Sequence, residues 1–140
     1  MKIIDSAKMS ELAKLAKESP RKRTHFNLHE SLEEAIHRLC IAAEPDTVIH
    51  PHRHKDKWEM LFVLRGAVDV YTYDDAGKIL NCYPMTPGGE IALVEIPEGV
   101  WHHFVCREPG TIAFEVKKGP YFPIPPEDSA PFDGVLPESR

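Results

Sequence analysis

The chain has few cysteines, no long apolar run and no excess of basic residues. Its three cysteines, Cys40, Cys82 and Cys106, are odd in number and form no CxxC pair, so neither a disulfide framework nor a thiolate metal site is indicated. The net charge of −5 provides no basic face for nucleic acid, and no segment approaches the roughly twenty apolar residues that cross a bilayer. We therefore expect a cytoplasmic protein that binds neither nucleic acid nor a membrane.

The beginning of the chain predicts an amphipathic helix. Apolar residues recur there at helical spacing, at Met9, Leu12, Leu15 and Ala16. Asp5 or Ser6 can cap the amino terminus of this helix, and Pro20 follows its end.

Two segments follow the predicted helix. Residues 23–29, RTHFNLH, are polar with one aromatic residue, and we interpret them as a surface loop that could fold across the mouth of the domain. Residues 31–34 have the form of a capping box, so we expect one short helical turn there and then a strand over 36–43.

After Pro45 the sequence predicts an all-β region. Short runs rich in Val, Ile, Tyr, Phe and Thr alternate with Gly, Pro and Asp clusters, as in antiparallel strands with tight connections. The predicted strands are 47–52, 58–64, 67–73, 78–83, 91–96, 101–106 and 111–117, with turns at 65–66 and 74–77. Many short strands at near-regular spacing are typical of a sandwich or barrel, so the fold class is mainly β.

The end of the chain is rich in proline, with six of the thirteen prolines after residue 118. Proline cannot donate to a sheet ladder, so this tail is expected either to wrap the surface or a partner subunit, or to stay partly disordered. Tyr121, Phe122 and Phe132 would anchor a docked tail. A chain of this length buries one core, so we expect one domain in three parts: a helical extension (1–44), a barrel core (45–118) and the tail (119–140).

Histidines and a carboxylate occur at spacings that suit one metal ion. Side chains two apart on a strand share a face, so His52 and His54 can point into one cavity. Glu59 has the opposite parity and reaches that cavity only if residues 55–57 turn or bulge. After the 97–99 turn, only one of His102 and His103 can point inward. Imidazole and carboxylate without thiolate suit zinc, iron, manganese or nickel and leave the metal an open position.

These residues resemble the cupin superfamily in two separated motifs. The first motif, H-x-H, then Glu after three or four residues and Gly after six more, is matched by His52, His54, Glu59 and Gly66. The second, P-x-G-x-x-H, is matched by Pro97, Gly99 and His102. Three positions that shape turns and packing depart from the pattern, with Asp46, Ile91 and Cys106 in place of the usual Gly, Gly and Asn. The resemblance covers residues 45–117 and implies a jelly-roll, or double-stranded β-helix, barrel that binds one divalent metal through His52, His54, Glu59 and His102.

A narrower resemblance is to the WbuC-type cupin metalloproteins, in HPHRHKDKWEMLFVLRG, VEIPEGVWHHF and FEVKKGPY. It implies an association with surface-polysaccharide biosynthesis and does not identify a substrate. His50 shares strand parity with His52 and could replace it as a ligand, although only His52 has the motif's spacing.

Seven other residues are candidates for substrate contact or proton transfer, and each also has an ordinary role as a surface charge or packing residue. They are His50, Arg53, Lys57, Glu95, His103, Glu115 and Tyr121. The predicted 58–64 strand is apolar on both faces, so its outer face must be covered by a second sheet, the helix or another subunit. We expect a homodimer.

The sequence leaves the reaction open. A metal with an open position can polarise a carbonyl or hydroxyl in isomerase, epimerase or lyase chemistry on a sugar-like molecule. Iron in the same ligands could instead activate dioxygen. A non-catalytic module that binds a carbohydrate or small acid, and a purely structural metal, are the other hypotheses.

Overall fold

One helix and two antiparallel sheets make up the structure, a computed structural model that describes residues 1–137. The helix α1 is Ser6–Glu18 and a short 3-10 helix is Pro126–Asp128. The strands are β1 Arg23–Asn27, β2 Ile36–Ala43, β3 Glu59–Arg65, β4 Val68–Tyr73, β5 Ile79–Met85, β6 Val94–Ile96, β7 Trp101–Cys106 and β8 Thr111–Lys118. The prediction of a mainly β fold with an amino-terminal helix is confirmed.

The two sheets differ in size. Within the described residues, five strands pair in the order β1-β2-β8-β3-β6 and three in the order β5-β4-β7. The apolar core contains Leu61 and Val63 of β3 together with Val68 and Val70 of β4. In each strand these residues are two apart and share one face, which is the period expected when a single face of a sheet is buried.

The helix covers the outer face of the larger sheet. The Asp5 side chain accepts a hydrogen bond from Lys8 N, so Asp5 is the N-cap, as one of the two predicted alternatives has it. Leu12 and Ala16 are buried against Cys40 and Ile112 of the sheet. Leu15, which the periodicity assigned to the same apolar stripe, is 46% exposed, so that assignment was wrong.

Two segments before the barrel differ from expectation. Residues 23–27 form an edge strand rather than a loop, since Arg23 to Asn27 pair with β2 from Ala43 to Leu39. Their polar composition hid the strand, because the one large apolar residue, Phe26, faces the helix. Residues 31–34 form a turn, closed by a Glu34 N to Ser31 O hydrogen bond of 3.2 Å, and no helical turn precedes β2.

The predicted strand at 47–52 is also wrong, because only His52 makes bridge pairs. The polar groups of this segment bind elsewhere: Thr47 Oγ1 donates to Arg21 O, and Val48 O accepts from the Arg23 guanidinium. The predicted strand at 91–96 is shortened to Val94–Ile96, which pairs with the first three residues of β3. The turn at 65–66 is confirmed, and Gly66 has a φ of +81° with Thr111 packed against it.

The tail docks on the segment that precedes β3. The Asp128 carboxylate accepts from Arg53 Nε at 3.0 Å, and Ala130 N donates to Pro51 O at 2.9 Å. Phe132 packs on the Tyr73 and Trp101 rings, as predicted for an anchor. Tyr121 and Phe122 are 50% and 64% exposed and do not anchor the tail. The last predicted tail residues, 138–140, lie outside the described residues.

No helix among residues 1–137 combines the length and the apolar character needed to cross a membrane.

Replacing Leu12 by Ala should lower the free energy of unfolding by about 2–5 kcal/mol, because the change leaves a cavity between helix and sheet. Leu12 is 3% exposed. Leu15→Ala in the same helix is the matched control and should change stability by less than about 0.5 kcal/mol. Urea unfolding followed by circular dichroism measures both, and equal losses would contradict the assigned helix face.

Replacing Asp128 by Ala should release the tail, because the change leaves the Arg53 guanidinium without its acidic partner. Lys55 Nζ, 3.6 Å from the same carboxylate, also loses its partner. We expect a loss of about 3 kcal/mol in unfolding free energy and faster proteolysis after residue 118. Glu127→Ala, at the exposed neighbouring residue, should leave both unchanged. A tail equally resistant in the two variants would show that this ion pair does not hold it.

Candidate metal centre

The structure brings together the four residues of the two motifs. His52, His54, Glu59 and His102 each offer one ligand atom, and these atoms all lie within 4.8 Å of one another. They come from three places in the fold: the segment before β3, the first residue of β3, and β7. The group could therefore hold a metal ion.

Backbone pairing positions the two ends of the group. His52 and His102 form an antiparallel bridge in which each N–H donates to the other's carbonyl, at 3.0 and 2.9 Å. Gly99 N donates to His54 O at 2.7 Å, so the predicted 97–99 turn also fixes His54. The chain bends at Lys55 and Asp56, which returns Glu59 to the same face as predicted.

The ring nitrogens are set for ligation by backbone carbonyls. His52 Nδ1 donates to His50 O at 3.0 Å and His102 Nδ1 donates to Val100 O at 2.8 Å. A neutral imidazole with its proton on Nδ1 presents a lone pair at Nε2, which is the form that binds a metal. Nε2 is therefore the ligand atom that His52 and His102 offer to a metal.

His54 provides the test of whether a metal fits. Its Nε2 lies 3.3 Å from Glu59 Oε1 without hydrogen-bond geometry. Among residues 1–137 it is the one buried side-chain polar atom without a hydrogen-bond partner. Such an atom costs about 1–3 kcal/mol when left unpaired. A divalent ion would satisfy it, so the donor set fits a metal.

Electrostatics keep the group ready to bind a cation. Burial and the nearby His102 lower the pKa of His52 to about 4, so this imidazole is neutral. Burial opposes ionisation of Glu59, but the hydrogen bond from Glu115 and the His102 imidazole, whose Nε2 lies 2.6 Å from Glu59 Oε2, outweigh it and hold the pKa of Glu59 well below its usual range. The site therefore combines a neutral imidazole at His52 with an ionised carboxylate at Glu59, which are the forms of these groups that bind a metal.

Glu115 and Lys117 extend the group along β8. Burial and the charge of Glu59 raise the pKa of Glu115 well above its usual range, so Glu115 keeps its proton and donates it to Glu59. Lys117 Nζ lies 3.9 Å from Glu59 Oε1 and 3.6 Å from Glu115 Oε1. Burial opposes its charge, but the two acidic residues raise the pKa of Lys117 overall.

The metal group lies on the wall of a cavity of about 650 Å³ between the sheets and the tail. Four of the predicted contact residues also line this cavity: Lys57, His103, Glu115 and Tyr121. The Lys57 ammonium donates to Pro120 O at 2.6 Å, which joins the residues before β3 to the start of the tail. Lys57, Glu115 and Tyr121 therefore border the same cavity as the metal group.

His103 and the three remaining predicted contact residues are either bonded to other groups or exposed. His50 Nε2 donates to Ala130 O, so His50 lies outside the metal group. Arg53 pairs with Asp128 and stacks over the Trp101 ring. His103 borders the cavity, but its Nδ1 donates to Ile49 O and its Nε2 accepts from the Tyr73 hydroxyl. Glu95 is exposed on β6.

Sequence reasoning missed Lys117 and His37. These two residues lie side by side with Glu59 on three neighbouring strands and form one row across the sheet. His37 of β2 is opposite Lys117 of β8, and Lys117 is opposite Glu59 of β3. The signal was present, because Lys117 follows Glu115 by two residues and must share its face. The row itself depends on strand order, which no local pattern specifies.

Solved structures similar to this chain have a cupin fold. KdgF from Halomonas sp. is 17% identical, with a TM-score of 0.58 over 74% of this chain and 84% of that one. A sugar phosphate isomerase of the cupin superfamily from Silicibacter pomeroyi is 20% identical, with a TM-score of 0.56 over 77% and 64%. Oxalate decarboxylase from Bacillus subtilis is 20% identical, with a TM-score of 0.54 over 79% and 27%. This similarity confirms the predicted cupin jelly-roll fold.

The chain spans most of KdgF, about two thirds of the isomerase and about a quarter of the decarboxylase. Comparison with curated protein sequences finds no match. A family model described as a domain of unknown function (DUF6016) matches residues 4–85, which is more than half of the chain, and the chain therefore belongs to this family.

Proposed function

We propose that this protein is a metal-dependent cupin that acts on a small, polar, carbohydrate-like molecule by isomerase, epimerase or lyase chemistry. His52, His54, Glu59 and His102 are its ligands to one divalent ion, with zinc, iron, manganese and nickel as candidates. The observation that carries the proposal is the buried, unpartnered His54 Nε2 within a group of three imidazoles and a carboxylate on a cavity wall.

An ion held by these residues would supply a Lewis acid that polarises a carbonyl or hydroxyl of the ligand. The protein's own groups prepare the surroundings. Glu115 holds a proton beside Glu59, and Lys117 contributes a positive charge at the same place. Tyr121 and Phe122 line the same cavity and add aromatic surface to its wall.

Two neighbours support the class of ligand. One similar structure is described as a sugar phosphate isomerase and another as an oxalate decarboxylase, so the same fold serves sugar-like and small acidic molecules. A purely structural ion is less well supported, because the ligands line a cavity of about 650 Å³ instead of being enclosed by the core.

The WbuC-type resemblance extends the proposal to surface-polysaccharide metabolism in the cytoplasm. The proposal also includes a homodimer. Met60 and Phe62 on the outer face of β3 are partly exposed, and a second copy of the chain would cover them.

Elemental analysis of untagged protein, purified without chelator, tests the metal group. We expect near-stoichiometric metal in the wild type and its loss in His54→Ala and Glu59→Gln, since each removes one of four ligands. His103→Gln and Glu95→Gln, which alter a neighbouring histidine and an exposed carboxylate, are the matched controls and should retain metal. Metal-free wild type, or equal loss in His103→Gln, would refute the ligand assignment, provided that circular dichroism shows folded variants.

Incubation of metal-loaded protein with sugar-like molecules in deuterated water separates the candidate reactions. Isomerase, epimerase or lyase chemistry should introduce deuterium next to the reacting carbonyl, which proton NMR detects. Oxygen consumption by the iron-loaded form, without deuterium exchange, would favour an iron-dependent dioxygenase. Binding without either reaction would favour a non-catalytic sugar-binding or regulatory module.

A further inference from the structure

A second part of the cavity wall, on β1 and away from the metal group, is polar. It consists of alternate positions along β1 and its flanks, and we call it the β1 polar face. Its members are Arg21, Arg23, His25, Asn27 and His29, all of which line the cavity. Every one of these side chains can donate hydrogen bonds, and none is acidic or apolar.

β1 presents polar side chains to the cavity and its one large apolar side chain to the helix. An edge strand normally buries apolar side chains on its inner face and exposes polar ones. In β1 the inner residues His25 and Asn27 lie opposite Ile41 and Leu39 of β2, which are apolar and line the same cavity. The apolar residue of β1, Phe26, packs outward in the helix cluster. His25 is exposed and Asn27 is half-buried beside these apolar neighbours, so the polar groups of this face are open to a ligand in the cavity.

The donors of this face are free to bind. Within residues 1–137, the side chains of Arg21, His25 and Asn27 have no hydrogen-bond partner. His29 Nδ1 lies 3.1 Å from both the N and the O of Arg38, and the His29 Nε2 atom is not among the buried unpaired atoms. One guanidinium nitrogen of Arg23 donates to Thr47 Oγ1 and Val48 O, and the other guanidinium N–H groups remain available to a ligand.

The charge of the cavity is opposite to that of the chain. Four cations line it, Arg21, Arg23, Lys57 and Lys117, against two carboxylates of the described residues, Glu59 and Glu115. Both carboxylates belong to the metal end, so the β1 end has cations alone. Burial and the charges of Arg21 and Lys117 lower the pKa of His25, as expected in a positive environment. The whole chain has a net charge of −5, so this local excess attracts anions selectively.

The two ends of the cavity are separated by the width of several strands. The order β1-β2-β8-β3 puts three strand spacings between the β1 polar face and Glu59, which is about 14 Å along the sheet. A ligand that contacts both ends therefore needs one functional group for the metal group and another for the β1 polar face.

We propose that the ligand of this cavity is a hydroxylated small molecule with an oxyanion, whose carboxylate or phosphate binds the β1 polar face while its hydroxyl or carbonyl end faces the metal group. This inference rests on the proposed function for the metal end only. Arg21 and Arg23 supply the charge at the other end, and His25, Asn27 and His29 supply hydrogen bonds. Arginine suits this role because its planar fork binds carboxylate and phosphate through two parallel hydrogen bonds.

Calorimetric titration of the full, metal-loaded chain with three probes of one carbon skeleton tests the proposal. The probes are gluconate, glucitol 6-phosphate and uncharged glucitol. We expect one or both anionic probes to bind at least about tenfold more tightly than glucitol and to weaken as salt rises. Stronger binding of gluconate identifies a carboxylate, and stronger binding of glucitol 6-phosphate identifies a phosphate. Glucitol binding as tightly as the anions, or no binding of any probe, would overturn the proposal.

Substitutions locate the anion. Arg21→Gln should weaken the anionic probe by about tenfold, because it removes a charged donor without breaking any side-chain hydrogen bond of the fold. Arg23→Gln should have a similar effect, and Arg23→Lys should restore part of the affinity. Lys14→Gln, on the exposed side of the helix, is the matched control. Equal affinity in Arg21→Gln and Lys14→Gln would refute the β1 polar face as the anion site.

The two proposals fail separately. If elemental analysis finds no metal in the wild type, the metal-dependent function fails. A preference for anionic probes that depends on Arg21 would then still uphold the β1 polar face. If metal is bound but the charge preference is absent, the β1 inference alone fails.

Discussion

The site depends on a short backbone bridge between His52 and His102. This pair is a single rung of antiparallel ladder outside the main strands, and it joins the segment before the barrel to β7. Residues directly opposite each other in an antiparallel pair share a face, so the rung points both imidazoles to the same side. The carbonyls of His50 and Val100 then orient the two rings. Without this bridge, the segment that carries His52 and His54 would pair with the tail alone, through Ser129.

The tail supports this rung from the other side. His52 also bridges to Ser129, and the neighbouring residues Arg53 and Pro51 bond to Asp128 and Ala130. The segment that carries two of the four metal-group residues is thus held between β7 and the tail. An irregular segment normally has high mobility, so pairing on both sides supplies the rigidity that a coordination site requires.

The interior is divided into an apolar and a polar half, and this division gives the protein its proposed chemistry. Leu61, Val63, Val68 and Val70 fill one half and stabilise the barrel by burial. The other half buries Glu59, Glu115 and several histidines, whose desolvation must be offset by hydrogen bonds and opposite charges. Glu59 and Glu115 meet this cost by sharing a proton, with Lys117 alongside. The unpartnered His54 Nε2 and the β1 polar face are the places where the protein's own groups leave donors unused.

Local patterns in the sequence determined the helix, most strands and the shared face of His52 and His54, because strand parity and turn residues act over a few positions. The resemblance to the two cupin motifs added Glu59 and selected His102 over His103. Local patterns failed at 23–29 and 47–52, where long-range pairing decides between strand and loop. An edge strand with a polar inner face resembles a loop in composition, and Thr47 and Val48 bond to Arg21 and Arg23 instead of a ladder. Only the tertiary structure decided that His37, Lys117 and Glu59 form one row and that β1 lines the same cavity as the metal group. Those relations follow from strand order, which is set by the packing of the whole chain.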